Sequence, residues 1–222
     1  MTLSDRDIAQ LSREAVAWMD ANNPVADETT EYGARLKRLT EGITEVDGLP
    51  LNFKVYKVAD VNAFACGDGS IRVFSALMDL MDDDELMASI GHEIGHVVHA
   101  DTKHAMKNAY LASAARNAAG AAEGSRLATL SGSQLGELLK ALTDAQISQK
   151  QETEADEYGF EFSVKHGFSP YAMGNSLNKL VELSKGAKAS TVQKMFSSHP
   201  DSEKRAARMK EKADAHAAAQ QQ

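Results

Sequence analysis

The sequence predicts an α+β domain, mostly helical, with a small three-stranded antiparallel sheet. Three observations carry this. Apolar residues recur at helical spacing along most of the chain, the period drops to two only between residues 51 and 75, and Gly and Pro cluster at a few sharp breaks. The 222 residues suit one domain spanning 1–222: an N-terminal helix to about residue 27, a core over 28–210, and a helix end with a frayed tail over 211–222.

The elements follow in order. Residues 4–22 read as an amphipathic helix capped by Ser4, with Ile8, Leu11, Val16 and Met19 on one face, ended by Asn22-Asn23-Pro24. A second helix is expected over about 28–45, with Leu36, Leu39 and Ile43 on one side and a break at Gly48-Leu49-Pro50. Leu51, Phe53 and Val55 alternate with polar partners as a strand; Asn62 to Cys66 and Ile71 to Phe74 are two more, with a turn at Gly67-Asp68-Gly69-Ser70, forming an antiparallel meander. A short helix over 76–81 precedes Asp82, whose Glu85 three residues on makes a capping box, so a helix runs from there through 99 and on towards 118. Gly120, Gly124 and Ser131-Gly132-Ser133 mark a mobile connection. A further helix from about Gln134, with a break, reaches His166, where Gly167 and Pro170 stop it; 170–184 and 202–219 are also helical, and the chain shows no internal repeat.

Composition excludes several classes. The formal charge is −8, from 24 Lys and Arg against 32 Asp and Glu, which argues against a nucleic-acid binder because phosphate contacts need clustered cations. No run of about 18 apolar residues spans a bilayer. The single cysteine, Cys66, rules out an internal disulfide and reads as a buried inert thiol, while Trp18 and the methionines read as core. The start, Met1 to Asp7, lacks the pattern of a secretory signal and a lipoprotein-type cysteine, leaving a cytoplasmic protein or a trimmed chain as the two readings.

The chemistry lies in Gly91-His92-Glu93-Ile94-Gly95-His96. This is an H-E-x-x-H motif on an expected helix. Residues i and i+4 share a face, so both imidazoles reach one metal ion, and Glu93 points beside it as a general base. Met87, Ile90, Ile94, Val97 and Val98 make the helix apolar nearly all round, so two histidines and a glutamate inside it need partners. Zinc best matches nitrogen and carboxylate ligands with one position left open, at one ion per chain. His99 lies about 10 Å along the axis from His92 and cannot share that ion. The metzincin class, with Gly at 99 and His at 102, is excluded by His99 and Thr102, and His104 reads as exposed.

A third ligand is found in Gln151-Glu152-Thr153-Glu154-Ala155-Asp156. Glu152 and Asp156 share a helical face, one for the metal and one to accept a proton from a ligand histidine. Glu154 competes with Glu152 but points about 200° away from it. The bland alternative is an acidic, solvated helix face.

H-E-I-G-H followed by E-T-E-A-D resembles the gluzincin metallopeptidases of the HtpX and CAAX prenyl protease family, a zincin-like fold. The likeness extends to Asn62-Ala63-Phe64 and Ser198-His199-Pro200, covers about residues 30–210, and is greatest to the soluble, LoiP-like bacterial branch of envelope lipoproteases. It implies Glu152 as the metal carboxylate, polypeptide substrates, possible protein quality control, and a place in the periplasm or at the outer membrane. It also implies an edge strand at Asn62, Ala63 and Phe64 that pairs with an extended substrate. His199 is then a catalytic residue that stabilises the oxyanion, or a ligand that fills the open metal position at rest. Arg205 is a candidate partner for the acidic site residues. The rival function is a metal-stabilised, chaperone-like or latent module that binds protein and cleaves little. It has no need of Glu93.

Overall fold

The computed structural model describes residues 4–117, 130–143, 145, 147–186 and 189–220. Helix α1 (Asp5–Asn22) starts at a Ser4 capping box closed by Asp7 and buries Ile8, Leu11, Ala15, Val16 and Met19. Helix α2 (Glu31–Leu39), capped by Thr30, is shorter than expected. Gly42 at φ 80° turns the chain out of helical geometry, and Asp47 and Gly48 (φ 49° and 77°) close a two-residue hairpin between β1 (Glu45–Val46) and β2 (Leu49–Pro50). Two successive positive φ values suit the twist of a tight hairpin, so the Gly48 break is a turn, and the sequence reading missed its strands.

The second sheet corrects the meander. Strand β5 (Ser70–Phe74) lies in the middle, β3 (Asn52–Tyr56) pairs with it in parallel, and β4 (Ala63–Ala65) pairs antiparallel on its other side. Residues 66–69 close a tight turn: Gly69 has φ 85°, and Gly69 N donates to Cys66 O. The longer 57–62 link has no positive-φ residue. It is held instead by Lys57 N to Pro24 O and Val61 N to Thr191 O, and it carries the chain to the opposite edge. A three-residue edge strand results.

Helix α3 (Ser75–Leu80) leads to α4 (Asp83–Val98), which starts at the expected Asp82–Glu85 capping box and is buried at every position from Glu85 to His96. The helix does not continue to 118. Ala100 at φ 61° breaks it, and α5 (Asp101–Asn117) sets off in a new direction. The expected mobile connection lies mostly outside the described residues, and its Ser131–Ser133 end leads into α6 (Gly132–Thr143). Then come α7 (Gln149–Lys165), capped by Ser148, α8 (Ala172–Lys185), α9 (Ala189–Ser198), which the sequence reading missed, and α10 (Ser202–Ala219).

Two apolar clusters pack on α4, and a third lies beyond the sheet. The sheet, α2 and α3 pack on Leu86, Met87, Ile90 and Ile94; α8 and α10 pack on Ala88 with Phe160. The far face of the sheet, Tyr56, Phe64 and Cys66, packs on α1, α5 and α6. One charge pair pins α1 to the sheet: Arg72, 1% exposed, donates from Nε and Nη2 to the two oxygens of Asp20 at 2.9 and 3.0 Å. Tyr56 and Lys54 also donate to Asp20. Burial pushes the Cys66 thiol far up, leaving it inert.

Candidate metal centre

The site begins with the contact between α4 and α7. A Cβ on Gly159 would lie 3.0 Å from both Ala88 O and His92 N, and one on Gly95 would lie 3.0 Å from Ala155 Cα. Missing side chains on both helices therefore let the backbones approach closely. That spacing delivers Glu152 and Asp156 of α7 to the two histidines of α4.

Four groups converge there. One ligand atom from each of His92, His96, Glu152 and His199 falls within 4.8 Å of the others. His92 Nε2 and His96 Nε2 are 3.1 Å apart, and Glu152 lies 3.7 Å from the first and 3.6 Å from the second. His199 Nδ1 is 2.8 Å from Glu152 Oε1 and 3.4 Å from His92 Nε2, while its Nε2 is 3.9 Å from Glu93 Oε1.

A second ring of groups holds these four. Asp156 Oδ1 lies 3.0 Å from His92 Nδ1, and Asp101 Oδ2 lies 2.9 Å from His96 Nδ1. Gln151 donates to the other oxygen of Asp101 at 2.6 Å. Arg205 donates to both oxygens of Asp156 at 2.9 and 2.7 Å and also pairs with Glu152, and Arg208 adds a third bond to Asp156 at 2.7 Å.

This arrangement fits a cation. Each Nδ1 faces a carboxylate, Asp101 for His96 in a hydrogen bond and Asp156 for His92 at 3.0 Å, which turns the two Nε2 atoms towards one another at 3.1 Å. Burial opposes charge on His96, but its bonds to Asp101 and Glu152 outweigh that and push it up to about 9. Burial instead dominates His92 and lowers it. Burial would raise both carboxyls, yet the histidines around Glu152 hold it well below the usual range, and His92 and Arg205 hold Asp156 down to about 2. Both carboxylates are ionised at neutral pH, as metal binding requires. Two imidazoles and a carboxylate beside a third imidazole form a donor set suited to zinc.

The structure thus brings together His92, Glu93, His96, Glu152, Asp156 and His199. Glu154 faces away and lies 3.5 Å from Lys150 on the helix surface. His99 caps α4 at its C-terminal end and lies against Tyr158, and His104 is exposed. Sequence reasoning missed Asp101 and Gln151. Five residues beyond His96, Asp101 would point elsewhere on a continuous helix, and only the break at Ala100 turns it back.

Asn62, Ala63 and Phe64 line an open cleft together with Glu93, His96 and His199, facing Leu142 and Ile147. Phe74 N donates to Asn62 O and Cys66 N to Ser70 O. With Phe64 opposite Arg72, this register leaves the backbone groups of Ala63 and Ala65 directed off the free edge of β4.

Comparison with known proteins agrees with the motif reading. The model of peptidase family M48 matches residues 32–213. The chain is 40% identical to the metalloprotease LoiP of Escherichia coli over 215 residues, covering 96% of this chain and 83% of that protein. It is 38% identical to the metalloprotease YcaL of the same organism over 212 residues, covering 95% and 82%. A more distant relative, the Escherichia coli beta-barrel assembly-enhancing protease, is 32% identical over 60% of this chain and 28% of its own length. With a family match over most of its length and a metal-ready H-E-x-x-H helix at its centre, the chain belongs to peptidase family M48 and is a metalloprotease.

Proposed function

We propose that the protein is a zinc-dependent endopeptidase, with one ion per chain, acting on unfolded or misfolded proteins of the bacterial envelope. The observation that carries the reading is the convergence of His92, His96, Glu152 and His199 beside Glu93, at the end of a cavity bordered by a free strand edge. The likeness to envelope proteases supports the periplasm or the outer membrane, and no described helix is long and apolar enough to cross a membrane.

His92, His96 and Glu152 hold the zinc, and Asp156 and Asp101 fix the tautomers of the two histidines. Zinc, when bound, polarises the scissile carbonyl and acidifies a water molecule. Glu93 takes the proton of the attacking water at its carboxylate and passes it to the leaving amine. The outward N–H and C=O groups of Ala63 and Ala65 pair with an extended substrate, with Asn62 beside them. His199 has two roles open to it, donor to the oxyanion or occupant of the open metal position at rest. Its place within the ligand cluster favours the second.

The test compares wild type with Glu93→Gln. Metal analysis should find one zinc per chain in both, while casein hydrolysis falls roughly 10²–10⁴-fold in the variant. Retained proteolysis would sink the mechanism. Zinc binding with no proteolysis in wild type would favour a metal-stabilised protein-binding module.

A further inference from the structure

A pocket that the mechanism does not use lies on the far side of the α4–α7 contact. Its floor is Ile94, which points about 200° away from His92 around α4. Tyr158 and Phe162 of α7 wall one side and the β1–β2 hairpin the other, with the exposed Glu45, Asp47 and Lys165 at the rim. The space, about 290 Å³, admits one long side chain. We propose that this pocket docks an arginine side chain of another polypeptide. The guanidinium lies against the two rings and turns its N–H groups to Asp47 and Glu45.

The walls are fixed before any partner arrives. A Cβ on Gly91 would lie 2.7 Å from Phe162 Cδ1, and one on Gly95 3.0 Å from Tyr158 Cβ, so the two glycines of the motif helix seat both residues. The rings stack with 24° between their planes and centroids 6.3 Å apart, and His99 meets Tyr158 edge-on. Aromatic faces carry negative potential and attract a cation within about 6 Å.

Charge at the rim selects the same occupant. Glu161 is paired with Lys212 at 2.9 Å, but among the described residues Glu45 and Asp47 make no ion pair. Asp47 acts across the pocket: burial raises the Tyr158 phenol, and the charge of Asp47 raises it further. Burial lowers His166 and leaves it neutral at pH 7, so among the described lining residues Lys165 is the only cation. Two unpaired carboxylates against one lysine leave the pocket short of positive charge. Arginine suits it better than lysine, because its plane stacks on rings and its fork matches a carboxylate.

Two-dimensional amide NMR of the zinc-loaded full chain, titrated with Nα-acetyl-arginine methylamide, tests this. The amides of Asp47, Tyr158 and Phe162 should shift together and saturate. The citrulline analogue, similar in shape but uncharged, should bind roughly tenfold more weakly. Asp47→Asn should weaken arginine by a similar factor with the hairpin intact, because Asn-Gly suits the same turn. Lys165→Gln removes a competing cation and should tighten binding roughly twofold to fivefold. Absence of a saturable shift overturns the proposal, as does equal binding of arginine and citrulline, or wild-type affinity in either variant. Ethanolamine moving the same signals as strongly would make this a site for an amine headgroup and rejects it too. Shifts that follow protein concentration without added probe would assign the face to a second copy of the chain, again against the proposal. The arginine–citrulline comparison uses unaltered protein, so it decides even where a variant fails to fold. The pocket lies away from the zinc ligands, and its outcome is independent of the peptidase reading.

Discussion

At the scale of single residues, the four converging side chains depend on the groups around them. Asp156 and Asp101 each hold the Nδ1 of one histidine, and the bidentate Arg205 fixes Asp156 in turn. Asp156→Asn and Asp101→Asn should each weaken zinc affinity roughly 10–100-fold, measured by equilibrium dialysis against a chelator. Unchanged affinity would return these carboxylates to a purely structural role. His199→Ala separates its two roles by sign. Loss of a ligand that blocks the site at rest raises basal proteolysis, whereas loss of an oxyanion donor lowers turnover about 10²–10³-fold. Kinetics on one unstructured substrate decide between them. The residues of H-E-I-G-H and E-T-E-A-D were legible because both motifs lie on single helices with fixed spacing. Asp101 was not, because its approach depends on one left-handed backbone position at Ala100.

At the scale of elements, the spacing of α4 and α7 decides whether Glu152 reaches the histidines. Gly159→Ala places a methyl 3.0 Å from Ala88 O and His92 N. Both are backbone atoms, so relief requires the helices to move apart. Helix propensity favours Ala by about 1 kcal/mol, but overpacking costs about 1–3 kcal/mol. The expected result is a small net loss of stability in urea together with weaker zinc binding. Unchanged zinc affinity would show that α4 yields without disturbing the ligands. Helix starts were well marked in the sequence, by Ser4, Asp82 and Ser148, because a cap is a local interaction. Strand order was not, since the crossover that sets β5 between β3 and β4 depends on contacts to Pro24 and Thr191, distant in sequence. Helix α9 was missed for a related reason: its apolar residues Val192 and Met195 are few and gain meaning only against the core they join.

For the whole molecule, the Asp20–Arg72 pair couples α1 to the catalytic half. Burial acts against charge on Asp20, but Arg72, Lys54 and Tyr56 outweigh it and hold its carboxyl below the ordinary 3.8. A depressed folded value means stability that is fully present above that pH and lost as pH falls through the folded value. Asp20→Asn leaves Arg72 buried with a neutral partner, at a cost of about 3 kcal/mol near neutrality. The gap between wild type and variant should close as pH falls below 3.8. Urea unfolding at pH 7 and in this acid range reads it, and a constant gap would mean that the charge on Asp20 contributes nothing.

The short free edge of β4 has a consequence for what the enzyme sees. If β4 pairs with substrate as proposed, three residues of strand with outward groups at Ala63 and Ala65 engage the backbone of that substrate. A helix or a paired strand has its own N–H and C=O groups already engaged and cannot offer them to that edge. On the peptidase reading, a client protein becomes visible only while a segment of it is open. The client's own opening equilibrium then sets how fast it is cut, so a well-folded neighbour survives at the same concentration at which a damaged one is destroyed. On that reading, a strand too short to hold much of a chain makes the proteolytic centre a gauge of other proteins' stability.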